Sequence, residues 1–122
     1  MTEEETAAVT PADQWAAVAA RTITLTSGNV MRVREVPFVW LAATGRIPPF
    51  VVAAQKRHEA DQKPWKPEEI ERLLDWLICE AAVEPEISLT KKAGALHVKV
   101  LADTEKEDIV LALNLMAYVP RD

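Results

Sequence analysis

A chain of 122 residues, 49% of them hydrophobic, with a formal charge of −5 and a pI near 5.1, is long enough for one domain with a real core and too apolar for wholesale disorder. The acidic balance argues against a general affinity for nucleic acid, whose phosphates need a concentrated basic face; the basic clusters are only the pairs Lys56-Arg57 and Lys91-Lys92, which read as solvated surface. No apolar run approaches the ~18 residues that span a bilayer. There is no basic-then-apolar leader, and the single cysteine, Cys79, has no internal partner. The expectation is therefore a soluble protein of a reducing cytoplasm, with Cys79 a small buried hydrophobe.

Residues 1–9 carry three successive glutamates and no packing pattern, and read as a mobile acidic tail ahead of a single globular domain, 10–122. Thr10-Pro11 is a helix start, with threonine able to cap free amides and proline having no amide to satisfy. Ala12 to Ala20 predicts two turns of helix with Trp15 and Val18 on one face. Thr22 to Thr26 and Val30 to Arg34 alternate as strands, and Gly28 and Asn29 between them can supply the positive φ of a tight hairpin turn. Pro37 opens a short apolar helix, Phe38 to Thr44, and Gly45 fits its left-handed cap. Pro49 opens another, Phe50 to about Asp61, apolar in its first half and charged in its second. Gln62 to Lys66 reads as an exposed break.

Pro67-Glu68-Glu69 is a helix start, because acidic side chains favour the positive end of the dipole. Ile70, Leu73, Leu74, Leu77, Ile78 and Ala81 then follow at helical spacing, which predicts an amphipathic helix over Glu68 to Val83, stopped by Glu84-Pro85. Lys91 to Gly94 suggests a turn and Leu96 to Val100 a short edge strand. Thr104 with Glu107 forms a capping box that opens a last helix reaching about Tyr118. Together these elements predict a mainly helical α+β fold of four to five helices with one small N-terminal β-hairpin.

Reactive chemistry is sparse. His58 and His97 belong to no HxxxH or HExxH pattern, and His58, Glu59 and Asp61 read as a charged helix face rather than a metal site. Three glycines cannot form a phosphate-cradling loop. The carboxylate pairs stand where helix starts favour negative charge, so no acid–base role is needed to explain them. The expectation is a non-enzyme with no cofactor and no metal.

The surface-forming residues are more informative. Four tryptophans are many for this length. Trp40 reads as core, Trp76 as bordering the Leu73/Leu77 stripe, and Trp65, between lysine-proline pairs, as exposed or covering a helix end. The last helix has one stripe of Ile109, Ala112, Leu113 and Met116, but Val110, Leu111, Leu115 and Tyr118 fill much of the rest, with Asn114 the only polar residue between Ile109 and Val119. A helix apolar all round is either central in a core or half-covered by a partner. Leu111, Leu115 and Tyr118 are therefore the candidate contact residues, with Trp40, Phe50 and Trp65 as further aromatic anchors. Self-association into a homo-oligomer is compatible with the same face.

In their order, Leu25-Thr26-Ser27-Gly28-Asn29, Val30 to Arg34, Gly45-Arg46-Ile47-Pro48, Val83-Glu84-Pro85 and Thr104 to Leu113 resemble the tail assembly chaperones of long-tailed bacteriophages. In that family a hairpin with an "L-P-S-G" turn and an "R-L-R" strand precedes a short apolar helix ending in "G-x-I-P". The likeness runs over residues 22–118, and Thr26 stands where proline is common. The resemblance implies a non-catalytic protein of the host cytoplasm that binds the tape measure protein while the tail tube forms. It also implies absence from the finished particle. The alternative is a structural head–tail connector or tail-completion protein of the virion.

Overall fold

A computed structural model describes residues 20–119 together with Ala8, Val9 and Pro11. The expected tail and the helix with Trp15 and Val18 lie outside the described residues, except that Ala20 begins a strand rather than ending a helix. The fold is α+β and mainly helical, with four α-helices among the described residues.

Strands β1 (Ala20–Thr24) and β2 (Val30–Arg34) form the antiparallel hairpin, with Ile23 opposite Met31. Gly28 supplies the positive φ, +94°, and the turn closes through the Gly28 amide donating to the Leu25 carbonyl at 2.9 Å and the Leu25 amide donating to the Asn29 carbonyl at 2.8 Å. The two-residue period of β2 sends Met31 and Val33 inward and leaves Val30, Arg32 and Arg34 exposed. An isolated hairpin is marginal, and here a third strand supports it.

That strand, β3 (Ala82–Glu84), was expected to be the end of a helix. The amphipathic helix runs over Pro67–Ala81 instead, and Ala82 turns extended, with φ −73° and ψ 123°. Two effects act together: proline at 85 disfavours helical backbone at Glu84, and β2 offers a free edge, on which Val33 pairs with Ala82 and Arg32 with Glu84. The Arg34 guanidinium completes the junction by donating to the Glu80 carbonyl at 3.0 Å, one of the helix-end carbonyls that lack an internal partner.

The helices are α1 (Phe38–Ala43), α2 (Pro49–Asp61), α3 (Pro67–Ala81) and α4 (Asp103–Ala112). The predicted stripe of α3 is its buried face: Leu73, Leu77, Ile78 and Ala81 are at most 1% exposed. Trp76 joins them rather than bordering them. This helix runs through the centre and meets α2, α4 and the C-terminal turn. At its start the Glu69 carboxylate accepts from the Lys66 amide at 2.8 Å and from Arg57 of α2 at 2.6 Å, which ties the two helices together.

Between α3 and α4, Ile87–Ser88 (β4) pairs in parallel with Leu96–His97 (β5). The edge strand expected to continue to Val100 gives way to a single 3₁₀ turn, Val98–Val100, which buries Val98. The capping acid of α4 is Glu105, not Glu107: the helix starts at Asp103, so Glu105 is the residue that turns back to accept from the Ala102 amide, at 3.0 Å. Nor is the last helix continuous. Asn114 takes the left-handed conformation, φ 52° and ψ 45°, and the chain resumes as a 3₁₀ turn, Leu115–Tyr118. The break resets the helical phase, so that Ile109, Leu113, Leu115 and Val119 are all buried where a straight helix would have turned some of them outward.

Candidate partner-binding groove

An apolar groove of about 380 Å³ lies between α1, α2, the middle of α3 and the C-terminal 3₁₀ turn. Its walls follow from local signals. Pro37 starts α1 and Gly45, at φ +70°, ends it; so short a helix is held by tertiary packing of buried Leu41 rather than by propensity. Phe38 at its first turn is stacked on Tyr118 with ring centroids 5.2 Å apart and meets the edge of Trp76 at 6.2 Å. The Ile47-Pro48-Pro49 segment swings the chain into α2, whose Val51 is buried while Val52 stays 41% exposed at the groove's lip. Gln55 and Lys56 are the polar side chains of the wall.

Trp65 forms part of the inner wall. The left-handed cap at Gln62 (φ 57°) and a hydrogen bond from His58 Nδ1 to the Lys63 carbonyl fold the segment back, and Trp65 is buried at 5% exposure. Of its two readings, exposed or covering a helix end, the second is the one found: a proline on either side, at 64 and 67, stiffens the loop, and the indole covers the junction of α2 and α3. Its indole N–H has no acceptor among the described residues.

The six predicted contact residues do not form one surface. Tyr118 and Trp65 line the groove. Phe50, half-buried on α2, lies under the Arg72 guanidinium at 4.1 Å. Trp40 is 52% exposed, not core, with the Arg46 guanidinium 4.7 Å from its ring centre. Leu111 and Leu115, expected on a common helical face, are separated by the turn at Asn114: Leu111 is 70% exposed and Leu115 only 1%, so Leu115 is core and no contact residue of the folded chain. Phe38, Ile47, Val51, Val52 and Leu73 were not singled out as contacts. Their signal was present in the apolar α1 and the apolar first half of α2, but only packing shows that these faces leave a space between them.

The titratable groups near these elements hold structure. Backbone and side-chain hydrogen bonds, from Ala102 foremost and then Asn29 and Ser27, hold the Glu105 carboxyl below its ordinary range. The Lys66 amide does the same for Glu69, helped by Arg57. Burial, with Asp75 and Glu80 nearby, pushes the Cys79 thiol up to about 12, so at neutral pH it is protonated and a poor nucleophile. His97 Nδ1 accepts from the Lys99 amide. No group of three metal-ligating side chains converges among the described residues, and no helix among them is long and apolar enough to cross a membrane. The groove can bury apolar surface and orient it. No protein-family model matches the chain, and comparisons with curated proteins and with solved structures give no match.

Proposed function

We propose that this protein is a tail assembly chaperone of a long-tailed bacteriophage, working in the host cytoplasm by holding apolar helical segments of the tape measure protein. The observation that carries the proposal is the groove between Phe38, Val52 and Tyr118: it is almost wholly apolar, open to solvent on one side and backed by a packed core. Such a groove takes one face of an amphipathic helix, with apolar anchors one turn apart. Apart from Gln55 and Lys56 its lining is aliphatic and aromatic, so binding rests mainly on buried area and remains reversible, as a factor that leaves the assembled tail requires. The hairpin turn at Gly28 and the Gly45-Arg46-Ile47-Pro48 helix stop, two motifs of the resemblance, occupy the turn and cap they imply.

The test is co-expression with a tape measure protein from the same genome. The expected outcome is a soluble co-purifying complex, lost on Val52→Glu, which places a charge at the groove's lip without disturbing a buried residue. No complex with the wild-type chain, or an undiminished complex with V52E, overturns the proposal. Recovery of the protein from purified particles favours a structural connector instead.

A further inference from the structure

The valley between α3 and α4 is a second apolar depression, of about 340 Å³, and shares no residue with the Phe38–Tyr118 groove. Ile70, Leu74 and Val110 line it half-buried, and Ile78 lies fully buried at its base. These side chains are left over because the apolar stripe of α3 is wider than its contact with α4. The valley's charged edges are unbalanced: Glu71 and Asp75 on α3 and Glu107 on α4 face a single cation, Lys106. That cation is already engaged with Asp75, Nζ to Oδ1 at 3.1 Å. Glu71 and Glu107 are exposed and have no ion-pair partner among the described residues.

From this arrangement we infer that the valley docks an amphipathic helix of a partner protein whose apolar stripe is flanked by lysine or arginine. Two neighbouring helices leave a valley into which the side-chain ridge of a third can pack. The alkyl stems of flanking lysines cover the apolar margin while their ammonium groups reach Glu71 and Glu107. The charge decides between occupants. Nucleic acid meets like charge. A second copy of this chain, related by a two-fold axis, sets the same acidic edges against each other. A basic helix relieves the imbalance. Such a helix need not belong to a tape measure protein, so failure of that pairing leaves the valley's preference standing, and the reverse.

The experiment titrates the purified chain with a synthetic helical peptide bearing leucine at i, i+3, i+4 and i+7 flanked by lysines, and with the same peptide flanked by glutamates. Binding is measured by calorimetry and located by amide NMR shifts. The lysine peptide should shift amides at Ile70, Leu74 and Val110 and bind at least about tenfold more tightly than the glutamate peptide, the ratio expected from a few exposed charge pairs. The double variant E71K/E107K changes only exposed side chains, its fold checked by circular dichroism, and should invert the preference. Raising the salt toward 1 M should erase the difference. Equal binding of both peptides, no binding of the lysine peptide, or shifts centred on Val51 and Tyr118 each overturn the inference. Self-association that E71K/E107K abolishes does so as well, because it assigns the valley to a second copy.

Discussion

Replacing Glu105 tests whether the hairpin and α4 are held together by one carboxylate. Its Oε2 accepts from Ser27 Oγ at 2.9 Å and from Asn29 Nδ2 at 2.8 Å, while Oε1 accepts from the Ala102 amide at 3.0 Å. Next to it, Asp108 Oδ2 accepts from the Thr26 amide at 2.7 Å. Hydrogen bonds to a charged group contribute about 1.5–3 kcal/mol each when buried. Here Ser27, Asn29 and Ala102 are exposed and regain water once the carboxylate is gone, so the three do not add in full. Glu105→Gln keeps the shape and one acceptor oxygen and should cost about 1–2 kcal/mol at neutral pH; Glu105→Ala should cost more. The pH dependence follows from the direction of the shift. The folded carboxyl lies below its ordinary 4.5, so its stabilisation is complete above that value and is lost as pH falls from it toward the folded pKa. Urea unfolding of wild type and Glu105→Gln at a series of pH values should therefore show a stability gap that is constant above the ordinary value and narrows below it. A gap that stays constant or widens in acid would refute the assignment of a charged clamp.

Leu77→Ala, at a site 0% exposed on α3, should cost about 2–5 kcal/mol in urea unfolding through lost burial and the cavity left behind; a change below about 0.5 kcal/mol, typical of surface sites, would mean the core is misplaced. Gly28→Val should destabilise by about 1–3 kcal/mol. A Cβ there meets nothing within 4 Å, so backbone conformation rather than a clash sets the cost, and Gly28→Asn, which tolerates positive φ, should recover much of the loss on the same denaturation curve. Cys79, with its thiol raised to about 12, should react with a thiol-specific disulfide reagent far more slowly in the native protein at pH 8 than in urea; equal rates would place the sulfur in open, unperturbed surroundings.

Several elements needed nothing beyond neighbouring residues. The stripe of α3 is visible because an amphipathic helix repeats its apolar residues every 3.6 positions whatever it packs against. Gly28 and Gly45 mark a turn and a cap because positive φ is a property of the residue itself, and Pro37, Pro49 and Pro67 mark helix starts for an equally local reason. Tertiary structure decided the rest. Ala82 to Glu84 became a strand because β2, some 50 positions earlier, presents an edge to pair with. Trp65 went in and Trp40 stayed out because burial depends on which surfaces meet, and periodicity names only the face of a helix and never its neighbour. Asn114 looked like a polar residue inside a helix; the demand to bury Leu113, Leu115 and Val119 together made it the hinge that ends one. Both grooves belong to this second class, since each is the space left between elements that are ordinary on their own, and its walls come from segments far apart in the chain.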